Sequence, residues 1–298
     1  MIKTLHDILL KAKSGEPRNI VVAAAEDINV LEAIKIAMAE EIVNPILIGN
    51  KKRIEEIASG IDFNLNLVEL INEDDPIVAT QKAVKFVADG KAEILMKGLI
   101  GTSDLLKAIL NKEYGIRKYE VLSHVSVFES PYYHKLLGIS DVAMNISPDL
   151  KEKVAIIHNA LTVMHSLGVV MPKVAVLAAV ELVNPAMQAT IDAAALSMMN
   201  RRKQIRNCII DGPLALDNAI SAYSAKVKGI DSEVAGDADL LIVNDLEAGN
   251  NLYKSLSFLG GATVAAVIMG AKVPVVLTSR ADNDQSKLMS IALAACIK

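Results

Sequence analysis

The 298-residue chain is poor in cysteine and in aromatic side chains. It has two cysteines, no tryptophan and only 3% aromatic residues. Two cysteines cannot build a disulfide framework, and neither has the Cys/His spacing of a zinc site. The N-terminal stretch MIKTLHDILLKAKSGEPRN carries charges throughout and lacks the apolar segment of an export signal. We therefore expect a cytoplasmic protein without a metal site.

The sequence also lacks a long uncharged apolar run and a basic surface. Its longest apolar stretches span residues 168–183 and 262–278. They are interrupted by Lys173, Glu181 and Lys272, which would be costly inside a bilayer. The net charge of −4 gives no attraction for nucleic acid. We expect neither a membrane nor a nucleic-acid partner, so any bound anion must be held by a local cluster of side chains.

Three catalytic signatures are absent. No G-x-S-x-G nucleophile elbow occurs, no G-x-G-x-x-G follows a strand-like segment, and no HExxH pairs two histidines. The five histidines and the helical methionines are better explained as structural or surface residues. Chemistry through a covalent acyl-enzyme therefore has no obvious nucleophile.

Strand-like and helix-like segments alternate along the chain, which predicts an α/β protein with a parallel, helix-covered sheet. In the first third the strand-like segments are NIVVAAA, PILIGN and AEILMKG, and the helix-like ones are INVLEAIKIAMAEEI, KKRIEEIAS and DPIVATQKAVKFVADG. An irregular stretch, 114–133, contains the strand-like YEVLSHVSVFES. The later strand-like segments are DVAMNIS, KVAVLAAV, NCIIDGP, ADLLIVNDL and PVVLTS. The later helix-like ones are LKEKVAIIHNALTVMHSLGV, PAMQATIDAAALSMMNRR, SLSFLGGATVAAVIMG and a last helix from about Asn283.

Ligands of open parallel sheets bind beyond the carboxyl ends of the strands, so four strand-ending turns are candidate sites. The first is MKGLIGTSDLL. Lys97 supplies a cation, Gly98 and Gly101 allow close approach of a ligand, and Thr102 or Ser103 could cap a helix whose N-terminus binds an anion. An ordinary glycine turn with a capped helix explains the same residues equally well.

The second and third turns are rich in carboxylates and amides. In IIDGPLALDNA, Asp211 and Asp217 flank a Gly-Pro turn and could ligate a metal or orient a substrate, although aspartate is also a common turn former. In the third turn, Asp245, Asn250 and Asn251 follow an apolar strand. These could face a ligand or cap a helix.

The fourth turn lies in PVVLTSRADNDQSK. Arg280 presents a planar charged fork suited to phosphate or to a developing oxyanion, and Ser279 can donate a hydrogen bond. Asp282 or Asp284 could accept a proton. The alternative is a solvated loop whose aspartates and Ser286 cap the last helix.

Taken together, the four turns resemble the phosphate acetyl/butyryl transferase family. The most specific pieces are DGPLALD, VAGDADLLIVNDLEAGNNLYK and the terminal SR, and the resemblance covers nearly the whole chain. It implies a two-lobed α/β fold similar to the isocitrate/isopropylmalate dehydrogenase-like enzymes, with the active-site cleft between the lobes. The lobes would be 1–138 plus 271–298, and 139–270.

The resemblance also implies roles for individual residues. Ser279 and Arg280 match the family's Ser-Arg pair, which is associated with stabilising the transition state. The position of the family's aspartate base is Ser286 here, so Asp282 or Asp284 is the expected base, with Asp282 favoured because it lies closer to Arg280.

The first three turns and the helix after the first of them supply the other expected site residues. Lys97, Gly98, Thr102, Ser103, Lys107, Asp211, Asp245, Asn250 and Asn251 are the expected substrate-binding residues. Lys107 replaces an arginine common in acetyl-transferring members, and Asn244 replaces a proline before Asp245. These departures favour the butyryl-transferring branch, with a place in short-chain fatty acid metabolism.

The implied reaction is reversible transfer of a short acyl group between coenzyme A and inorganic phosphate. Acyl-CoA and phosphate would be the substrates, no cofactor is expected beyond the coenzyme A thioester, and the apolar composition suggests a homo-oligomer. The alternatives are an acetyl-transferring member, a metal- and NAD-dependent dehydrogenase of the same fold, and a noncatalytic sensor of coenzyme A or acyl phosphate. Acyl chain length stays open.

Overall fold

We describe the fold from a computed structural model that describes residues 2–277 and 284–298. In this part of the chain there are eleven α-helices and eleven strands. The helices are α1 Leu5–Lys13, α2 Ile28–Ala39, α3 Lys51–Gly60, α4 Pro76–Ala88, α5 Thr102–Ile109, α6 Leu150–Ser166, α7 Gln188–Arg201, α8 Leu216–Ile220, α9 Ala222–Val227, α10 Leu246–Lys254 and α11 Asp284–Cys296.

The strands are short and mostly buried. They are β1 Arg18–Ala23, β2 Val43–Gly49, β3 Glu69–Asn72, β4 Ile94–Lys97, β5 Ser123–Glu129, β6 Leu137–Ser140, β7 Lys173–Leu177, β8 Ile209–Leu214, β9 Leu240–Ile242, β10 Thr263–Met269 and β11 Val275–Val276.

The chain divides into two units. We call His6–Tyr119 with Ala265–Lys298 the terminal unit, and Met1–Leu5 with Glu120–Val264 the central unit. The bounds differ from the lobes expected from the sequence, because residues 1–5 and 120–138 belong to the central unit and residues 265–270 belong to the terminal unit. The largest of these segments is 120–138. There β5 pairs antiparallel with β6, and β6 pairs parallel with β9. These ladders fix the segment to the strands that follow it.

In the terminal unit the strand order is β3-β2-β1-β4-β11-β10. All neighbours in this order are parallel except β10 and β11. Most residues of β1, β2, β4, β10 and β11 are buried, whereas β3, at the edge of the sheet, is partly exposed. The largest completely buried side chains of this unit include Ile20, Leu31, Ile34, Leu47, Ile48, Ile54, Ile94, Leu95 and Met96. Parallel strands that are covered on both faces have continuous apolar sequences, and such sequences predicted these strands.

In the central unit the order is β5-β6-β9-β7-β8, and only the β5–β6 pair is antiparallel. Its core cluster joins residues from all these strands and from the loops that follow them. The buried members are Phe128, Leu137, Ile139, Val142, Ala175, Leu214, Ala219, Val234, Ala238, Leu241, Val243, Ala262 and Val264.

Acidic and amide side chains at helix starts fix where the helices begin. The Asp27 carboxylate accepts the N–H groups of Asn29 and Val30 at the start of α2. Asp149 and Glu152 form a capping box on α6, each side chain accepting the other's backbone N–H. Such caps satisfy donors that a helix leaves unpaired.

Two sequence-based assignments were wrong. DVAMNIS is a loop, and the strand lies just before it, at β6. SLSFLGGATVAAVIMG is not a helix, since Ser255–Leu259 forms a π-helical turn and Thr263–Met269 is the strand β10. Gly261, at a φ of +64°, separates the two. The mostly parallel α/β sheet was predicted correctly, although β3 and the two antiparallel pairs were missed.

Among the residues that the structure describes, no helix is both long and apolar enough to cross a membrane.

Candidate active site

Four strands of the terminal unit end at one edge of its sheet. The parallel register aligns Ala23 of β1 with Ile48 of β2 and with Lys97 of β4. Strand β11 runs parallel to β4, with Val276 opposite Met96. The residues that follow these strands therefore meet at the carboxyl edge, where ligands of parallel sheets bind.

The turn after β4 packs directly on the turn after β1. The Gly98 N–H donates to the Ala23 carbonyl at 2.8 Å, and the Leu99 N–H donates to the Ala24 carbonyl at 2.6 Å. A Cβ on Gly98 would lie 2.0 Å from the Ala24 oxygen, so no side chain fits there. Gly98, a predicted site residue, thus allows the turns after β1 and β4 to pack against each other.

Lys97 lies at the end of β4 and is partly exposed. Its Nζ donates to the carbonyls of Gly98 and Ile100, each at 3.0 Å. These two bonds hold the Lys97 ammonium against the turn after β4. Ile100, one of its two partners, directly precedes Gly101, the N-cap of α5. Lys97 therefore places a positive charge at the carboxyl edge, and its role in binding a substrate stays a prediction.

Helix α5 starts without a side-chain cap. Its N-cap residue is Gly101, which has no side chain that could accept the N–H groups of the first turn. Thr102 and Ser103 are the first two helical residues rather than caps, so the capping role predicted for them was wrong. Lys107 is exposed and pairs with Asp104 at 2.9 Å. The uncapped N-terminus leaves backbone N–H groups available to an anion.

Glu26 was missed by the sequence analysis. It follows β1 and is only 8% exposed. Its buried Oε2 has no hydrogen-bond partner among the residues that the structure describes. The signal was present, because Glu26 directly follows the run of apolar and alanine residues that includes the end of β1, where site residues are expected.

The predicted catalytic residues Ser279, Arg280 and Asp282 lie outside the described residues. Asp284 is the first residue of α11, and its side chain is likewise not described. Ser286 and Lys287 follow in that helix, and the buried Lys287 Nζ donates to the Asn29 Oδ1 at 3.3 Å. Strand β11, which leads into this segment, ends at the same edge as β4.

In the central unit, strands β6, β9, β7 and β8 also share one carboxyl edge. Asp211 is not beyond β8 but inside it, and its Oδ1 accepts the neighbouring Gly212 N–H at 2.9 Å. Asp217 is exposed on the short helix α8. The prediction that Asp211 and Asp217 flank a turn was therefore wrong, because Asp211 and the Gly-Pro pair lie within β8 and Asp217 lies on α8.

Residues of the segment DLEAGNN have structural roles around α10. Asp245 caps the helix by accepting the Ala248 N–H at 2.8 Å. Gly249 packs so tightly that a Cβ would lie 2.6 Å from the Asp141 carbonyl oxygen. The Asn250 Nδ2 donates to the Val142 carbonyl at 3.3 Å, and Asn251 is exposed. The segment anchors α10 on the loop after β6.

A buried lysine beside this segment was also missed. The Lys153 Nζ lies 2.6 Å from Asp192 Oδ2 and donates to Asn244 Oδ1 at 2.8 Å. Gln188 donates to the other oxygen of Asp192. Lys153 is only 3% exposed. The network fixes Asn244, and with it the start of α10, to helices α6 and α7, but a lysine inside a helical pattern gives no sequence signal for this.

Thiol and imidazole groups are not arranged as nucleophiles. Burial raises the pKa of the Cys208 thiol to about 11, and burial likewise raises that of Cys296 to about 11. Burial lowers the pKa of His124 despite the nearby Asp141 carboxylate. High thiol pKa values disfavour the reactive thiolate. Within the described part of the chain, no three His, Cys, Asp or Glu side chains cluster as metal ligands.

Comparisons with known proteins identify the family of the chain. The family model described as "Phosphate acetyl/butaryl transferase" matches residues 4–79 and 75–295. A phosphate butyryltransferase from Clostridium acetobutylicum is 45% identical over 100% of this chain and 99% of its own. A phosphate acetyltransferase from Thermotoga maritima is 46% identical over 96% and 97% of the two chains.

Solved structures extend the likeness to the fold. A branched-chain phosphotransacylase from Enterococcus faecalis superposes with a TM-score of 0.84 at 34% identity, covering 94% of this chain and 98% of that one. A 4-hydroxythreonine-4-phosphate dehydrogenase from Klebsiella pneumoniae shares the fold alone, with a TM-score of 0.54 at 14% identity over 95% and 99% of the two chains. This chain belongs to the phosphate acetyl/butyryl transferase family of acyltransferases.

Proposed function

We propose that the protein is a phosphate butyryltransferase, which transfers a butyryl or similar short acyl group between coenzyme A and inorganic phosphate. The observation that carries the proposal is family membership along the whole chain, with relatives named for this reaction. The carboxyl edge of the terminal unit supports it, because Lys97 and the uncapped start of α5 offer positive potential for phosphate.

The reaction needs no covalent enzyme intermediate. A phosphate oxygen attacks the thioester carbonyl, an oxyanion develops on that carbonyl, and the coenzyme A thiolate leaves. Positioning two substrates and stabilising the developing charge can supply most of the acceleration. This fits a chain whose two thiols are buried and have raised pKa values.

We assign the charged steps to residues on the resemblance to the family. Arg280 would neutralise the charge of the phosphate and of the oxyanion. Ser279 would donate a hydrogen bond to the oxyanion. Lys97 and the Thr102–Ser103 helix start would hold the phosphate. Asp282 and Asp284 stay candidates for proton transfer.

Roles in binding the acyl-CoA are proposed for the remaining predicted residues. Lys107, Asp211 and Asn251 are proposed to lie along the acyl-CoA, with Asn251 and Lys107 more exposed than Asp211. Asp245 and Asn250 already bond to the backbone, so we expect them to position α10 rather than to be free for a ligand.

An acetyl-transferring enzyme is the second candidate, because a relative so named is about as similar as the butyryl one. Acyl length depends on a pocket in which one methylene changes binding by only about 0.8 kcal/mol. We further propose a cytoplasmic homo-oligomer. Phe258 and Leu259, 72% and 87% exposed, are among the exposed apolar side chains of the central unit that favour self-association.

Release of coenzyme A thiol from acetyl-, propionyl-, butyryl- and isobutyryl-CoA, with and without phosphate, tests the function. The proposal expects release that requires phosphate and has its highest kcat/KM with a four-carbon acyl group. An optimum at acetyl-CoA would favour the second candidate. NAD reduction with a hydroxy acid and Mg²⁺, without any thiol release, would favour a dehydrogenase, and ligand binding without turnover would indicate a sensor.

A further inference from the structure

Glu26 is an ionisable side chain inside the protein, and one of its carboxylate oxygens lacks a hydrogen-bond donor within the described part of the chain. It is 8% exposed, and its Oε2 finds no hydrogen-bond donor in residues 2–277 and 284–298. Burying a carboxylate without a donor is unfavourable, and native proteins rarely leave such groups unsatisfied. Because the buried Glu26 carboxylate does not stabilise the fold, its presence points to a functional role.

The backbone holds this carboxylate in place. Ala24, two residues earlier, has a φ of +53°, a conformation that side-chain-bearing residues adopt rarely. The Gly98 and Leu99 N–H groups fix it by bonding to the carbonyls of Ala23 and Ala24. Strain kept at a strand end by surrounding bonds is characteristic of functional sites.

Glycine at position 49 makes room for the carboxylate. A Cβ on Gly49 would lie 2.1 Å from the Glu26 Oε2 and 2.9 Å from the Ala25 N. The end of β2 is therefore shaped around the Glu26 side chain. After Glu26, Asp27 caps α2, so the two consecutive carboxylates have separate tasks.

The position of Glu26 relates it to the charged groups of the proposed site. Strand β1 ends between β2 and β4, and β4 ends at Lys97. The next strand, β11, stops at Val276, three residues before Ser279. Glu26 is thus an acceptor at the carboxyl edge at which Lys97 supplies a cation.

We infer that Glu26 is the proton carrier of the acyl transfer, an inference that rests on the proposed function. In the direction of acyl-CoA synthesis, Glu26 takes the proton of the coenzyme A thiol as sulfur attacks the acyl carbon. The C–S bond forms, the bond from that carbon to the phosphate oxygen breaks, and Glu26 returns the proton to the departing phosphate. Thiol and acyl phosphate give thioester and hydrogen phosphate, and the carboxylate is unchanged.

The substitution E26Q separates catalysis from folding. Glutamine keeps the shape and removes the charge, and a neutral side chain is easier to bury than an unpartnered carboxylate. We expect E26Q to unfold at the same or higher urea concentration than the wild type. Its kcat should fall by about 10²- to 10³-fold, within the usual effect of losing a general base, while KM for coenzyme A changes little.

The matched control is D27N. It removes a negative charge at the adjacent residue while keeping a good N-cap on α2. D27N should retain wild-type kcat. An equal loss of kcat in D27N would contradict the inference, because the effect would then come from net charge at the strand end. Wild-type kcat in E26Q would also overturn it, as would a loss of stability in E26Q that matches its loss of activity.

Chemical rescue distinguishes a proton carrier from a residue with a purely structural role, because only the loss of a proton carrier can be compensated by a small added acid. E26A opens space for a small acid, and sodium formate should restore part of kcat in E26A but not in D27N or in the wild type. No rescue in a folded E26A would count against Glu26 as proton carrier. These results differ from failure of the proposed function, which would appear as a wild-type protein that releases no thiol in the presence of phosphate.

Discussion

The Nζ of Lys153 lies 2.6 Å from the Oδ2 of Asp192, and both side chains are almost fully buried. The pair joins α6 to α7 and, through Asn244, reaches the start of α10. Replacing one partner leaves an uncompensated buried charge. We expect D192N to lower the free energy of unfolding by about 3–5 kcal/mol in urea titrations.

An exposed ion pair provides the comparison for D192N. Lys13 and Glu40 are also 2.6 Å apart, but their side chains are 41% and 35% exposed. Solvent screens such pairs, so E40Q should cost less than about 1 kcal/mol. Similar losses in D192N and E40Q would show that burial of the Lys153–Asp192 pair has no energetic consequence.

The contact of Gly98 with the Ala24 carbonyl makes position 98 intolerant of any side chain. In G98A the new Cβ would overlap an oxygen 2.0 Å away that is itself held by hydrogen bonds. We expect a loss of about 3 kcal/mol or more in thermal or urea unfolding. G60A is the control, since no atom lies within 4 Å of a Cβ built there and Gly60 ends α3. It should be neutral or slightly stabilising. Equal stability of G98A and G60A would rule out the tight turn.

Asp237 should make stability depend on pH. Its burial opposes ionisation, but hydrogen bonds from Lys173, Lys135 and His134 outweigh this and lower its pKa. A carboxyl whose pKa is lower in the folded state stabilises above its unfolded pKa, and that contribution is lost as the pH falls below about 4.

The variant D237N tests this dependence. The wild type should exceed D237N by about 1 kcal/mol at pH 7, a modest value because the site is partly exposed, and the gap should close between pH 4 and pH 2. The exposed Asp231 provides a control, D231N, that should show no such gap. A gap for D237N that stays constant with pH would contradict the role of the three hydrogen-bonding side chains around Asp237.

Lys97 and Lys107 should differ in their effect on phosphate. Lys97 is held at the carboxyl edge by two carbonyls, whereas Lys107 is exposed and already paired with Asp104. A charge-assisted contact is worth about 1.5–3 kcal/mol, so K97M should raise KM for phosphate by about 10- to 100-fold. K107M should change it by less than about threefold. Kinetics with varied phosphate would contradict this if K107M had the larger effect.

Much of the fold could be predicted because parallel strands buried on both faces leave plain apolar runs. The failures have a common physical cause. TVAAVIM, at β10, is buried at nearly every position, so it has no alternation that would distinguish a strand from a buried helix. The segment ELIN of β3 was missed for the opposite reason. It is half-exposed and has too few apolar residues to be distinguished from a loop.

The candidate site was predicted less completely, because it depends on contacts between segments far apart in sequence. The position of Lys97 followed from the strand-end rule. The segment DLEAGNN was recognised as a motif, but only the structure shows that Asp245, Gly249 and Asn250 anchor α10. Glu26 stands at a strand end that the same rule covers, but its burial, like the contact of Lys153 with Asp192 across the unit, leaves no pattern along the chain.

The most direct test of the proposed reaction is to identify its second product. Incubation with butyryl-CoA and phosphate should yield butyryl phosphate, trapped with hydroxylamine as the hydroxamate, in a one-to-one ratio with coenzyme A thiol. Thiol released without acyl phosphate would identify a hydrolase, and the absence of both products with every short-chain acyl-CoA would contradict the account.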